Sequence, residues 1–437
     1  MKRRQFIKHC INSGIALSAC PNVLTAASFQ SYPVIPITSG EYQHWFGYYD
    51  KFQIDPTGRY ALGNQVDAFF RPPNTDDILR IGLIDLKKKY KWKEIGQSTS
   101  WGWQQGCMLQ WIPGSAEEVI WNSRNPEKPT EFMSMIYNIK TKKTRTLPRP
   151  FYTLSPDGSF ALSVNFARLQ DMRPGYGYSV PEGVGDIAKA PADDGIFKMD
   201  LKTGDSQLII SLEQLSKLER TQGSVKDNFH WCNHLLVSPS GNRFIFLNRS
   251  RPYRVTSEMK KEEDWVRKYV STKHVTRAIT CNTDGSDLYL MNDSGTFSHF
   301  IWRRDDAITA WAKPEDNDKA NFFRFYDKSK KSELIDTENM PLNGHNTYVP
   351  NTNYEWILND TYPQGPDRLQ ELYLYHVPTK RKVVLGRFHE PKKFYSEWRC
   401  DLHPRCDQEG KRVFFDSTHE GDKRQMYMID IEKIVQA

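Results

Sequence analysis

Past the first thirty residues, the apolar positions fall in short runs of alternating character, each broken by a tight polar turn. One phrase recurs: an aromatic or apolar run, a polar turn, then a second apolar run. It occurs as Ile54-Asp55-Pro56-Thr57-Gly58-Arg59-Tyr60, Trp111-Ile112-Pro113-Gly114, Leu154-Ser155-Pro156-Asp157-Gly158 and Val237-Ser238-Pro239-Ser240-Gly241. It returns as Trp302-Arg303-Arg304-Asp305-Asp306, Val349-Pro350-Asn351-Thr352 and Cys406-Asp407-Gln408-Glu409-Gly410. Pro, Asp and Gly at these places are hairpin-turn residues. An alternating strand follows each turn, as in Arg243-Phe244-Ile245-Phe246-Leu247. A second alternating phrase then comes at 81–86, 134–139, 195–200, 277–282, 323–326, 371–375 and 425–430.

Seven turns and seven outer strands predict an all-β chain, a seven-bladed β-propeller with four-stranded antiparallel blades. A right-handed β-helix would repeat at a shorter interval, and two sandwiches would not keep one phrase seven times. One domain is expected over residues 29–437, with the first and last blades adjacent. The widest gap between turns holds a Gly-rich loop at 178–189 and a polar helical stretch at 213–226. Helical insertions are therefore expected between blades three and four and, from the charged segment 258–268, within blade four.

Composition adds exclusions. The chain has 437 residues, 13% of them aromatic and 26% charged, and a mean hydropathy of −0.67. No stretch after residue 30 is apolar over the roughly 20 residues a membrane span needs. A membrane channel, a coiled coil and a low-complexity chain are excluded. Four of the seven net positive charges are Lys2, Arg3, Arg4 and Lys8. What remains is too weakly basic to favour a nucleic-acid partner.

Residues 1–28 read as an export signal. A basic head precedes a short apolar run at 11–19, and Arg3-Arg4-Gln5-Phe6-Ile7-Lys8 resembles a twin-arginine signal. Leu17-Ser18-Ala19-Cys20 resembles a lipobox that would lipidate Cys20, and Thr25-Ala26-Ala27 offers ordinary cleavage instead. A periplasmic or cell-surface monomer is expected, touching membrane only through a lipid on Cys20. Export permits disulfides, but the spacing of Cys107, Cys232, Cys281, Cys400 and Cys406 pairs none of them.

The histidines carry the candidate chemistry. His234, His299, His345 and His403 each lie seven residues before a turn of the repeat, at 241, 306, 352 and 410. Equivalent positions of a propeller share one height and radius, so four consecutive blades should bring these imidazoles together at one mouth of the channel, from the start of each innermost strand. Imidazole is the commonest side-chain metal ligand and titrates near neutrality. Asp401 lies two before His403, on the same face if the segment is extended. It or Glu397 would ligate, or orient an imidazole. The candidate metal set is His299, His345, Asp401 and His403.

Blade three offers Arg168, Arg173, Tyr176 and Tyr178 in a segment shaped by Pro174, Gly175 and Gly177. An arginine fork suits a carboxylate. Tyr48, Gln105 and Arg399 are candidate substrate contacts at comparable depth. Trp101 and Trp103 would stack on sugar or pack between blades. No phosphate-binding loop, HExxH or GxSxG is present.

The last four blades resemble oligogalacturonate lyase and its TolB-like propeller relatives. The resemblance rests on Asn233-His234-Leu235-Leu236-Val237-Ser238-Pro239, Ser298-His299-Phe300-Ile301-Trp302 and Asp401-Leu402-His403-Pro404. It extends to Phe414-Phe415-Asp416-Ser417, Glu420-Gly421 and Gln425-Met426-Tyr427. It implies a divalent metal, manganese in that family, held by histidines and a glutamine while a uronate undergoes β-elimination. His299 and His403 match ligands, and His234 matches a site histidine. Asp401 stands where the family has a third imidazole, and no glutamine stands near Trp398. The implied substrate is an acidic carbohydrate. His234 would be base or acid, Arg168 or Arg173 would bind carboxylate, and Tyr176 or Tyr178 would protonate the leaving oxygen. A non-catalytic binding propeller and a glycoside hydrolase are the alternatives.

Overall fold

Each recurrent turn owes its shape to a polar side chain folded back on the backbone. In the first, Asp55 accepts the backbone N–H groups of Thr57, Arg59 and Tyr60, and Gly58 takes a left-handed φ of 65° that a side chain disfavours. The flanking strands therefore leave as an antiparallel pair. The computed structural model describes residues 32–436 apart from 182, 184, 257, 263, 264, 266, 272 and 273. The expected export signal, with Cys20, lies outside them.

The described chain forms seven four-stranded sheets, a seven-bladed β-propeller. Every recurrent turn joins the first strand of a blade to the second. The alternating phrases are the third strands, one place further in than expected. A fourth strand lies outside each, such as Lys91–Ser98, paired to Leu79–Asp85 with Leu79 opposite Ser98. These outer strands alternate weakly because much of their length faces solvent.

The seventh blade is composite. Arg405–Cys406, Arg412–Ser417 and Gln425–Asp430 are its first three strands, and Ile35–Pro36 is the fourth, with Ile35 opposite Met428. Thr38 and Ile37 extend the seam through bonds to Gln425 Oε1 and the Met426 carbonyl. The turn count did not reveal this closure.

Apolar side chains of neighbouring blades pack face to face. Ile245, Leu247 and Ala278 of blade four meet Phe300, Trp302 and Ile308 of blade five. Burial of a large aliphatic or Phe side chain such as Ile245, Leu247 or Phe300 contributes about 1.5–3 kcal/mol. Trp101 and Trp103 belong to this packing, with ring centroids 5.7 and 5.3 Å from Trp45. The five cysteines are free thiols. Among the described residues, no helix is long and apolar enough to cross a membrane.

The insertions are short. A five-residue helix, Leu212–Ser216, is capped by Ser211 between blades three and four. The charged segment of blade four makes a 3-10 turn at Met259–Lys261 and a π turn at Arg267–Ser271, not one rim helix. Just ahead of the Pro174, Gly175 and Gly177 turn in blade three lies helix α1, Phe166–Met172, whose first turn is capped by the Asn165 side chain on the Arg168 N–H. Asn at that position is a strong N-cap.

Candidate metal centre

Three of the four in-phase histidines have left-handed backbones: φ is 51° at His234 and 42° at both His299 and His403. For residues of this bulk, such angles cost of order 1–3 kcal/mol each and occur where the surroundings enforce them. His234 lies inside the strand Phe229–Val237, whose register shifts between Asn233 and Leu236. His299 lies inside Phe297–Arg304, with a shift between Ser298 and Phe300. These two are therefore bulge residues, not strand starts. His345 and His403 do precede their strands, Thr347–Tyr348 and Arg405–Cys406.

The rings converge. The centroids of His299 and His345 are 4.3 Å apart, as are those of His345 and His403. Tyr48 fills the middle, 4.9 Å from His403 and 5.1 Å from His234. All five side chains are buried.

Within the cluster, nitrogen and oxygen donors of His345, Asp401 and His403 lie within 4.8 Å of one another. His345 Nδ1 faces both oxygens of Asp360 at 3.0 and 3.1 Å. That bond keeps the proton on Nδ1 and leaves the Nε2 lone pair free, the arrangement of a metal-ligating imidazole backed by a carboxylate. Asp401 Oδ2 accepts Arg399 Nε at 2.8 Å, while Asp401 Oδ1 and His403 Nε2 are buried without a hydrogen-bond partner. His403 Nε2 stands 3.8 Å from Asp401 Oδ2, too far for a good bond. Orphaned buried polar atoms are rare, and a cation would satisfy both. The donor set fits a divalent metal. His299 stands beside this group with both nitrogens engaged, Nδ1 at 2.7 Å from Asn343 Oδ1 and Nε2 at 3.3 Å from the Tyr362 hydroxyl.

Burial pushes His234, His299 and His403 well below the usual imidazole range, and neighbouring Arg249, His345 and Arg405 add to the effect. These rings are neutral, as ligands and bases must be. Arg399 stays firmly protonated although burial opposes it, because Asp401 and Tyr176 lie alongside. It donates to the Tyr176 hydroxyl at 3.1 Å. Burial would raise the Tyr176 phenol, but Arg399 and Arg173 outweigh it and lower it. Arg173 lies over the Tyr176 ring at 5.1 Å, with its Nε buried and unpartnered. Glu397 is pushed up to about 7 by burial, against the pull of Arg173 and Arg399. It sits in the short turn Ser396–Trp398, so it does not share an extended strand with Asp401.

Three expected site residues lie elsewhere. The Arg168 guanidinium is held by the carbonyls of His230, Ala188 and Lys189, so no fork is left for a carboxylate. The Tyr178 hydroxyl accepts from Asn122, and its ring stacks on Phe166. The Gln105 side chain is spent on the Tyr152 hydroxyl, which in turn accepts the His234 N–H. Sequence reasoning missed Asp360, Tyr362, Asn343 and Arg249. Asp360 and Arg249 each lie eight residues after a turn, near the end of a second strand. That phase could have found them.

With this geometry in hand, comparison with known proteins identifies the architecture. The chain has the fold of oligogalacturonate lyase. A solved oligogalacturonate lyase in complex with manganese superposes with a TM-score of 0.62 at 14% identity, over 94% of this chain and 96% of that one. The oligogalacturonate lyase of Vibrio parahaemolyticus gives 0.60 at 13%, over 92% and 95%. A puromycin-hydrolysing peptidase of Mycobacterium tuberculosis gives 0.52 at 11%, over 92% of this chain and 54% of that one. The likeness spans all seven blades, where the sequence motifs reached only the last four. No protein-family model matches the sequence, and no curated protein sequence does.

Proposed function

We propose that the protein is an exported lyase that cleaves a carbohydrate containing uronic acid by metal-assisted β-elimination. The observation that carries the reading is the buried trio His345, Asp401 and His403, whose ligand atoms lie within 4.8 Å of one another and two of whose atoms, Asp401 Oδ1 and His403 Nε2, are orphaned. The shared fold with a lyase solved with manganese supports it.

A divalent cation, manganese by analogy, would neutralise the uronate carboxylate as a Lewis acid and so acidify the C5 proton. His345, Asp401 and His403 would hold it, with Asp360 fixing the tautomer of His345 and His299 at the edge of the set. Arg173, its Nε unpartnered, would take carboxylate or ring oxygens by charge-assisted bonds, while Arg399, bonded to Asp401, the Ser396 carbonyl and Tyr176, would hold those groups in place. His234, neutral and buried, would remove the C5 proton. Tyr48 would line the sugar-binding floor between base and metal ligands. Burial excludes bulk water, which strengthens each electrostatic contact. The export signal at 1–28 would put this activity in the periplasm or on the cell surface, as a monomer acting on acidic carbohydrate.

Metal analysis of the purified protein, followed by a screen of uronic oligosaccharides for the ultraviolet absorbance of unsaturated products, tests the reading. His403→Ala should abolish bound metal and turnover while keeping the melting transition. Retained metal and full activity in that variant would refute it.

A further inference from the structure

His234 Nε2 stands 3.4 Å from the Tyr48 hydroxyl, and their ring centroids are 5.1 Å apart. Tyr176 lies against the same imidazole at 5.9 Å. Tyr362 is turned to His299 on the metal side instead. Tyr48 is thus the phenol in hydrogen-bond reach of the proposed base, and it lies beside the imidazole.

This spacing restricts the substrate. A β-elimination that removes the C5 proton and protonates the C4 leaving oxygen needs a base near one bond and an acid near the other. Where those two bonds point to opposite faces of the pyranose, the whole ring must fit between base and acid. At 3.4 Å no ring fits between His234 and Tyr48. Both groups can address only one face.

We infer that His234 and Tyr48 form a one-sided base–acid pair for syn elimination, so that the substrate is a 4-linked uronate whose C5–H and C4–O bonds lie on the same ring face, as in glucuronate and mannuronate. Galacturonate and guluronate, with the two bonds on opposite faces, are excluded. The step balances without a co-reactant. His234 Nε2 takes the C5 proton, and the electron pair of that bond becomes the C4–C5 double bond. The C4–O bond breaks, and the leaving oxygen takes its proton from the Tyr48 hydroxyl. The protonated imidazole and the phenolate are then left in contact, and one proton passed from His234 to Tyr48 restores both.

The inference rests on the lyase reading, and one panel separates the two. Metal-loaded protein is incubated with oligoglucuronate, oligomannuronate, oligogalacturonate and oligoguluronate, and unsaturated product is followed by its ultraviolet absorbance. Product from glucuronate or mannuronate oligomers, at least about 100-fold faster than from the other two, is expected. Faster product from galacturonate or guluronate oligomers would overturn the inference and leave the lyase reading standing. No unsaturated product from any of the four would sink both. On the preferred oligomer, Tyr48→Phe should lower kcat by about 10²–10⁴-fold, the usual contribution of a general acid, with KM little changed. An unchanged kcat, or a loss carried by KM alone, would remove Tyr48 from the proton transfer.

Discussion

Asp360→Asn tests the proposed metal centre. The Asp360 carboxylate does two jobs: Oδ1 accepts the His345 backbone N–H at 2.6 Å, and Oδ2 accepts Nδ1–H at 3.0 Å. An asparagine keeps the first bond with its carbonyl oxygen and then turns its NH₂ toward Nδ1. The NH₂ repels Nδ1–H, which keeps at most its 3.1 Å contact with the retained carbonyl oxygen, and the proton shifts toward Nε2, the atom that would ligate the proposed metal. Loss of such an outer partner weakens metal binding by about 10–100-fold, or about 1.4–2.8 kcal/mol. The assay is calorimetric titration of the metal-free protein with manganese, alongside thermal melting of the same samples. The dissociation constant should rise within that range while the melting temperature moves little. Unchanged metal affinity would refute the claim that Asp360 sets the ligand tautomer. A loss of affinity matched by a collapse in melting temperature would show that it only holds the blade together.

Three further outcomes follow from the packing. Burial pushes His230 down to about 4. Between pH 6.5 and 4 the unfolded chain thus binds a proton that the folded chain refuses, and stability falls as pH falls, by about 3 kcal/mol at pH 4. His230→Gln should flatten that dependence in melts taken from pH 7 to pH 4; Glu390 and Glu397, raised to about 7 with the opposite sign, are common to both proteins and cancel in the comparison. Gly344→Ala would put a Cβ 1.8 Å from the Asp360 carbonyl oxygen, so denaturant unfolding should show a loss of about 3 kcal/mol or more; a neutral result would mean the backbone there yields freely. Removing residues 1–36 strips the fourth strand from blade seven and bares the edge of Gln425–Asp430. Size-exclusion chromatography should then show concentration-dependent association together with a lower melting temperature.

The blades were legible because hairpin turns are local chemistry: Asp55, Pro56 and Gly58 act within five residues of one another. The phase of the histidines was legible for the same reason, since a repeating fold turns equal spacing into equal place. What escaped was made by distant pairings. Ile35–Pro36 is too short to register as a strand until Met428 and Tyr427 lie opposite it. Arg168 and Arg173 look interchangeable in sequence, but the cap at Asn165 begins a helix that aims Arg168 at three backbone carbonyls and leaves Arg173 by Tyr176. Tyr178 and Gln105 were lost to partners, Asn122 and Tyr152, that no local pattern announces. The bulges at His234 and His299 were likewise invisible, because an extra residue in one strand is defined only by its partner strand.

The composite seventh blade also bears on how the protein is made. Thr38 and Gln425, bonded across the seam, are 387 positions apart. Joining ends so remote carries an entropy penalty of about 5 kcal/mol, which the bonds and side chains of the joint must offset together. A ribosome releases the early edge long before its mate exists, so every nascent chain waits as an open arc. The last sheet to assemble is also the latch, and a chain truncated before residue 425 has nothing to fasten.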